Sequence, residues 1–265
     1  MIIQETIKTL INDGDSLDRT QQLKTLIALV KENVYSAVPQ IIPLLKSPDP
    51  SLRANAAYAL GYLGINEKET VGNALINLLS DSEELVRSEA IEALGLLHDT
   101  RAIYSLKNLL RNDVSPLVRA SAAEVIGELG DIDAIETLEL SLLDINEDEA
   151  VRCYGANAIG ILGNCQLLPT LESYIKSEIS LTVKAELLGA KYWLGDKEAL
   201  NILLNLLADA DENLALHILN ILADLKERKT PSDIYLDAAT LGKYLTVIKA
   251  RFPILEHQAE KLMAL

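Results

Sequence analysis

Leu117-Val118-Arg119-Ala120-Ser121-Ala122-Ala123-Glu124-Val125-Ile126-Gly127-Glu128-Leu129-Gly130-Asp131 decides the fold, because copies of this stretch recur along the chain. Aligned on the basic residue, Arg53, Arg87, Arg119, Arg152 and Lys184 form one column with separations of 34, 32, 33 and 32 residues, and Ala215 marks a weaker copy. Eight residues after the first four stand Gly61, Gly95, Gly127 and Gly160; eleven after stand Gly64, His98, Gly130, Gly163 and Gly195. A period near 33 with fixed glycine columns marks a solenoid, whose units bury their apolar faces only against one another.

Four residues before the basic column stand Asp49, Glu83, Ser115, Asp148, Ser180 and Asp211, and five of these six are good helix N-caps. Pro50 and Pro116 follow two of them, suiting a first helical position that has no use for an N–H. Ala120, Ala123, Ile126 and Leu129 then recur at helical spacing, as do Ala54, Ala57, Leu60 and Leu63. The second glycine is expected to end this helix in a left-handed conformation. A second amphipathic helix follows, as in residues 102–110.

These units resemble the HEAT-like repeats of the phycobilisome lyase family; Leu85-Val86-Arg87 followed by Ala93-Leu94-Gly95 carries the likeness, which is good over residues 49–210 and poor at both ends. The resemblance implies an all-α, right-handed α-solenoid of about six to seven two-helix repeats with atypical terminal caps. It also implies the handling of a bilin chromophore on phycobiliproteins, alongside a second related subunit. The sequence shows neither the tetratricopeptide nor the ankyrin pattern.

The organisation expected is a single solenoid over 1–265, with a capping unit at 1–46, repeats over 49–225 and closing helices over 230–265. At the start, Leu23, Leu26, Ile27 and Val30 form one helical face, and Val38, Ile41, Ile42, Leu44 and Leu45 the next. At the end, Thr230-Pro231-Ser232-Asp233 has a capping-box layout, and Ile234, Ala238, Leu241, Leu245, Ile248 and Phe252 line a helix that Pro253 interrupts. Lys226 to Lys229 reads as a solvated linker.

The 265 residues carry 24 Lys and Arg against 39 Asp and Glu, a net charge of −15. That argues against nucleic acid, whose binding requires many neutralised phosphates, and for a protein partner with a basic patch. Met1 to Ile7 has an early Glu5 and no long apolar run, so neither a signal peptide nor a membrane anchor is expected, and a cytoplasmic location follows by default. Cys153 and Cys165 have no metal-ligand spacing, and His98, His217 and His257 fit no zinc or catalytic pattern, so neither a metal nor a catalytic residue is assigned. His98 simply replaces a turn glycine. Glu147, Asp148 and Glu149 read as a solvated acidic run.

The carboxylates and amide twelve residues after the basic column, Asp99, Asp131, Asn164 and Asp196, are expected to bind the next unit's Arg. Binding is placed on the second helices, taken as the concave face. Their aligned positions give stripes Asn73/Asn77, Tyr104/Asn108 and Asn201/Asn205, with Arg111 and Lys176 three residues on. Lys107 joins them as a candidate for a bilin propionate. Lys191-Tyr192-Trp193 interrupts the repeat pattern, and Trp193 is a candidate anchor or simply a space-filling ring. The main expectation is a non-catalytic protein-binding scaffold without a cofactor. The alternative is a subunit of a phycobilin lyase, or a chromophore-handling factor, in which a bilin is bound and a related repeat protein is the partner.

Overall fold

The computed structural model describes residues 19–227 and 238–264, and these are helical without strands. Chain contacts divide into two compact units, 1–137 and 138–265. In the first lie α1 (Arg19–Lys31), α2 (Val38–Ile41), α3 (Pro50–Leu63), α4 (Lys68–Leu78), α5 (Glu84–Leu96), α6 (Ile103–Asn112) and α7 (Pro116–Leu129). The boundary falls inside α8 (Ile135–Leu143). The second holds α9 (Glu149–Leu162), α10 (Leu168–Ser177), α11 (Leu181–Trp193), α12 (Glu198–Asp209), α13 (Glu212–Glu227), α14 (Ala238–Arg251) and α15 (Glu256–Ala264). The helices of the basic column, called Arg-bearing below, are α3, α5, α7, α9 and α11, the last with Lys184 in the Arg position, and α13 is the weaker copy. The chain is therefore an all-α, α-solenoid-type repeat protein.

Each Arg-bearing helix begins as its cap position dictates, with two variations. The side chains of Asp49, Asp148, Ser180 and Asp211 accept hydrogen bonds from N–H groups of the first turn. Glu83 and Ser115 do not cap through their side chains. The Ser115 hydroxyl instead donates to Glu84 of the preceding repeat. Leu60, Leu94, Ile126, Ile159 and Leu188 are buried in the cores of their units, as the apolar spacing requires.

The two glycine columns differ in purpose. The first permits close approach: a Cβ on Gly61 would lie 2.9 Å from the Ala93 backbone, and one on Gly160 would lie 2.7 Å from Ala190 Cβ. The second ends helices in left-handed geometry at Gly130 (φ +79°) and Gly195 (φ +107°), and His98 adopts the same conformation at φ +48°. Gly64 and Gly163 have φ near −80° and end their helices without it.

The Arg column is structural, but its expected partners are wrong. The Arg53 fork meets Asp81, with Nε–Oδ2 and Nη2–Oδ1 both 2.7 Å, and Arg152 pairs with Glu178. These acids lie in the loop just before the next Arg-bearing helix. Each Arg also donates backwards to a carbonyl ahead of its own helix: Arg53 to Ser47, Arg87 to Asp81 and Arg119 to Asp113 in the loops, and Arg152 to Leu142 in the last turn of α8. The position twelve after the column has another duty. Asp99, Asp131, Asn164 and Asp196 accept the backbone N–H two residues on and cap the short 3-10 turns or the following helix. A short acceptor two residues from a free N–H is a local solution the chain reaches before any long-range pairing.

The ends depart from expectation in three places. Leu26 and Leu29 form the buried stripe of α1, with Ile27 51% exposed instead of inward. Residues 38–46 are a single turn of α-helix followed by a 3-10 stretch, Ile42–Lys46, because Pro43 has no N–H to continue the α pattern. Lys226 is helical and donates to the Leu262 carbonyl at 2.9 Å, so it is not part of a linker. Leu241, Leu245 and Ile248 of α14 are buried with Leu203 and Ile218, as their spacing predicts. The expected features at Met1–Ile7, Arg228–Lys229 and Thr230–Ile234 lie outside the described residues.

Candidate functional site

Within each unit the Arg-bearing helices touch one another at their glycines: Gly61 against Ala93 and Gly95 against Val125 in the first, Gly160 against Ala190 and Gly189 against Ile221 in the second. The intervening helices meet through long side chains instead. Tyr174 of α10 donates to Glu139 of α8, and Arg101, from the turn before α6, reaches Asn73 of α4.

In the first unit the outward side of this close-packed layer is aromatic and acidic. Tyr58 and Tyr62 sit one turn apart with ring centroids 4.9 Å from each other. Beside them α5 presents Glu89, Glu92 and the exposed Leu96, and α7 presents Glu128. The basic residues of these three helices, Arg53, Arg87 and Arg119, are turned to the loops. Burial, with a smaller contribution from Glu92, pushes the Glu89 carboxyl above its usual range. Burial likewise raises Glu92, aided by Glu128 and partly offset by a hydrogen bond from Ser121. Burial and the neighbouring Tyr62 raise the Tyr58 phenol.

In the second unit the Arg-bearing helices α9, α11 and α13 border a small open cleft. Its walls include Asn157, Ile161, Trp193 and Leu225, with the carboxylates of Glu186 and Asp224. Glu186 is 91% buried, and His217 Nε2 lies 3.0 Å from its Oε1. Gly160 and Gly189 form part of the lining, where α9, α11 and α13 pack too closely for a Cβ.

Lys191-Tyr192-Trp193 therefore divides into three roles. The Lys191 ammonium is buried and bonded to Glu172 Oε2 at 2.7 Å and Asp196 Oδ2 at 2.8 Å. Burial acts to lower its pKa, but the two carboxylates outweigh it and the net shift is upward. Tyr192 fills core space, with its hydroxyl buried and without a hydrogen-bond partner among the described residues. Trp193 faces the cleft.

The other sequence-derived candidates lie on the second helices, in two separate groups. In the first unit Asn73 accepts from Arg101 Nη1 at 3.0 Å, Lys107 pairs with Asp131 at 2.7 Å, and Asn108 accepts from Asn112 at 2.9 Å. Asn77, Tyr104 and Arg111 are exposed there, Tyr104 by 85%. In the second unit Lys176 pairs with Glu172 at 3.2 Å, Asn201 donates to Glu198 at 3.5 Å, and Asn205 accepts from the Tyr244 hydroxyl at 3.1 Å. Several of these polar groups are thus already bonded to neighbouring side chains.

Tyr58 and Glu92 of the first unit, and Glu186 of the second, are not among the residues expected from the sequence. A signal was present five and nine residues after the basic column, where Tyr58, Glu92, Glu124 and Asn157, then Tyr62, Glu128 and Trp193, interrupt helices otherwise rich in Ala and Leu.

Models of HEAT repeats match residues 38–127, 72–146 and 105–191, which together cover more than half of the chain. The chain belongs to the HEAT-repeat family. Over 94 residues it is 37% identical to the phycocyanobilin lyase subunit alpha of Thermosynechococcus vestitus, a match covering 31% of this chain and 34% of that protein. The matched part is thus about a third of that relative's length. Among solved structures it is similar to the complex of CpcE and CpcF of phycocyanin lyase from Nostoc sp. PCC7120, with a TM-score of 0.57, 23% identity and 94% of each chain covered. It is also similar to YibA of Escherichia coli, with a TM-score of 0.55, 21% identity, and 98% of this chain and 95% of that one covered. At such identities the two structural likenesses establish the fold. Among the described residues, no helix is long and apolar enough to cross a membrane, and no His, Cys, Asp and Glu group is arranged to hold a metal.

Proposed function

We propose that the chain is a subunit of a bilin lyase-type assembly, pairing with a related repeat protein and holding a pigment-carrying protein against the close-packed layer of Arg-bearing helices. The observation that carries this reading is the Tyr58, Tyr62, Glu89, Glu92 and Glu128 face, which combines flat aromatic area with carboxylates that no basic side chain of α3, α5 or α7 neutralises. Glycine contacts bring the Arg-bearing helices of each unit backbone to backbone, which leaves their far side as a continuous surface for a partner. The relative from Thermosynechococcus vestitus is a subunit by name, which supports a two-chain assembly.

The role is to hold and orient. The Cys153 thiol is buried, and burial pushes its pKa far up, which suits packing rather than attack. Carboxylates on the face would repel the propionates of a bilin but attract a basic patch on the protein bearing it, speeding association at low salt. A general scaffold for a basic protein unrelated to pigments is the second reading, favoured by the net charge of −15.

The test combines the purified chain, a related repeat protein, a bilin and an apo-phycobiliprotein. Co-purification and a red-shifted bilin spectrum are expected. Replacing Tyr58 and Tyr62 by Ala should lower recovery of the phycobiliprotein by about tenfold, as for loss of interface aromatic anchors. Replacing Asn77, Asn108 and Asn205 by Ala should leave it unchanged. Retention lost only in the Asn variant would move the contact to the second helices, and neither retention nor a spectral shift in any mixture would sink the lyase reading.

A further inference from the structure

The cleft in the second unit has a specific chemistry. A flat indole, Trp193, forms one wall, and Ile161 and Leu225 supply apolar sides. Two carboxylates, Glu186 and Asp224, line the space, and Asn157 offers an amide. Among the described residues none that lines it is basic. Gly160 and Gly189 at its floor let the helices approach so closely that a Cβ would lie 2.7 Å from Ala190 Cβ or Ile221 Cγ2.

Glu186 is the informative member. A carboxylate removed from water is costly unless it is paired. The positively chargeable group beside it is His217, whose Nε2 lies 3.0 Å away yet is buried without an aligned hydrogen bond. Lys184, on the same helix, and Lys226, at the far end of α13, are not among the lining residues. An incoming cation would therefore find a desolvated carboxylate with binding capacity left.

We propose that this cleft is a socket for an arginine side chain of a protein partner, with the guanidinium stacked on Trp193 and hydrogen-bonded to Glu186. Arginine fits better than lysine for physical reasons. Its planar head is weakly hydrated, stacks on aromatic faces and meets a carboxylate with two parallel N–H groups, whereas an ammonium is a strongly hydrated point charge. Its methylene stem would lie along Ile161 and Leu225. The proposal rests on the reading that the Arg-bearing layer is where partners bind, and it adds the chemistry of one contact.

Trp193 is the single tryptophan of the chain, so its fluorescence reports on this cleft alone. The full chain is titrated with acetyl-Gly-Arg-Gly-amide, with the same peptide carrying citrulline, which is nearly isosteric but uncharged, and with the lysine version. A saturable change is expected for arginine, with binding about tenfold weaker for citrulline and for lysine. Glu186→Gln, checked for unchanged helix content, should also weaken arginine binding about tenfold. Equal responses to arginine and citrulline, or no saturable response to arginine, would overturn the socket. An equal response to lysine would overturn the assignment to arginine. The comparison of peptides on the unmodified protein decides the matter even where Glu186→Gln does not fold. Peptide binding without phycobiliprotein retention counts against the lyase reading alone, and retention without peptide binding counts against the socket alone.

Discussion

Arg87 and Asp113, 26 residues apart, close two adjacent repeats through a fork in which Nε–Oδ2 is 2.8 Å and Nη2–Oδ1 is 2.7 Å. Their side chains are only 10% and 6% exposed. The third guanidinium nitrogen donates to the Asp81 carbonyl at 2.8 Å, so one side chain ties the loop before α5 to the loop before α7. The hydrogen bonds to Asp113 hold the Arg87 pKa above its usual value, against the opposing effect of burial.

Removing one partner of such a pair strands a buried charge. Arg87→Ala is therefore expected to cost about 3 kcal/mol in urea denaturation. Arg87→Lys keeps the charge but loses the planar fork, and it should recover less than half of that loss. A cost for Arg87→Ala below about 1 kcal/mol, the level of an exposed surface pair, would show that the fork does not hold the repeats together.

The glycines predict two different failures. At Gly160 an added Cβ would meet Ala190 Cβ at 2.7 Å and Ala190 Cα at 2.9 Å, and helix backbone cannot yield cheaply. Gly160→Ala should destabilise by about 3 kcal/mol as α9 and α11 are forced apart. Gly130 meets nothing within 4 Å, but its φ is +79°. Gly130→Ala should cost about 1 kcal/mol, from backbone strain alone. Reversal of that order in thermal or urea unfolding would mean that the two columns have been assigned the wrong roles.

The same residues show how far the sequence could be read. Period, caps and the two glycine columns were legible because each is a local requirement with few solutions: a short acceptor before a helix, no Cβ where backbones touch. The Arg partners were not, since Asp81, Asp99 and Asp113 are equivalent as letters, and only the folded loops show which carboxylate faces which guanidinium. Sequence also names two antiparallel helices without saying which one lies inside a curved stack. The Asn stripe rests on placing the second helices there, and the contacts of Gly61 and Gly160 show that the Arg-bearing helices pack backbone to backbone within each unit. Trp193 was found because it broke the pattern, but Glu186 remained hidden because its burial depends on α13.

The acidic face carries its own cost. A carboxylate whose folded pKa lies above its unfolded value binds a proton more readily in the folded state. Glu89 and Glu92 are both in this position, so each weakens the fold at pH values above its raised pKa. That penalty fades as pH falls through the raised value and is gone below the ordinary carboxylate range. Glu92→Gln should therefore raise the urea midpoint at pH 7, with the gain over the unmodified protein shrinking progressively as the buffer is taken down to pH 4. If the face binds a basic partner, the same variant should release it faster, so stability and retention move in opposite directions. A lower midpoint at pH 7 would mean that the hydrogen bond to Ser121 outweighs burial, and a gain independent of pH would mean that the effect is not one of charge.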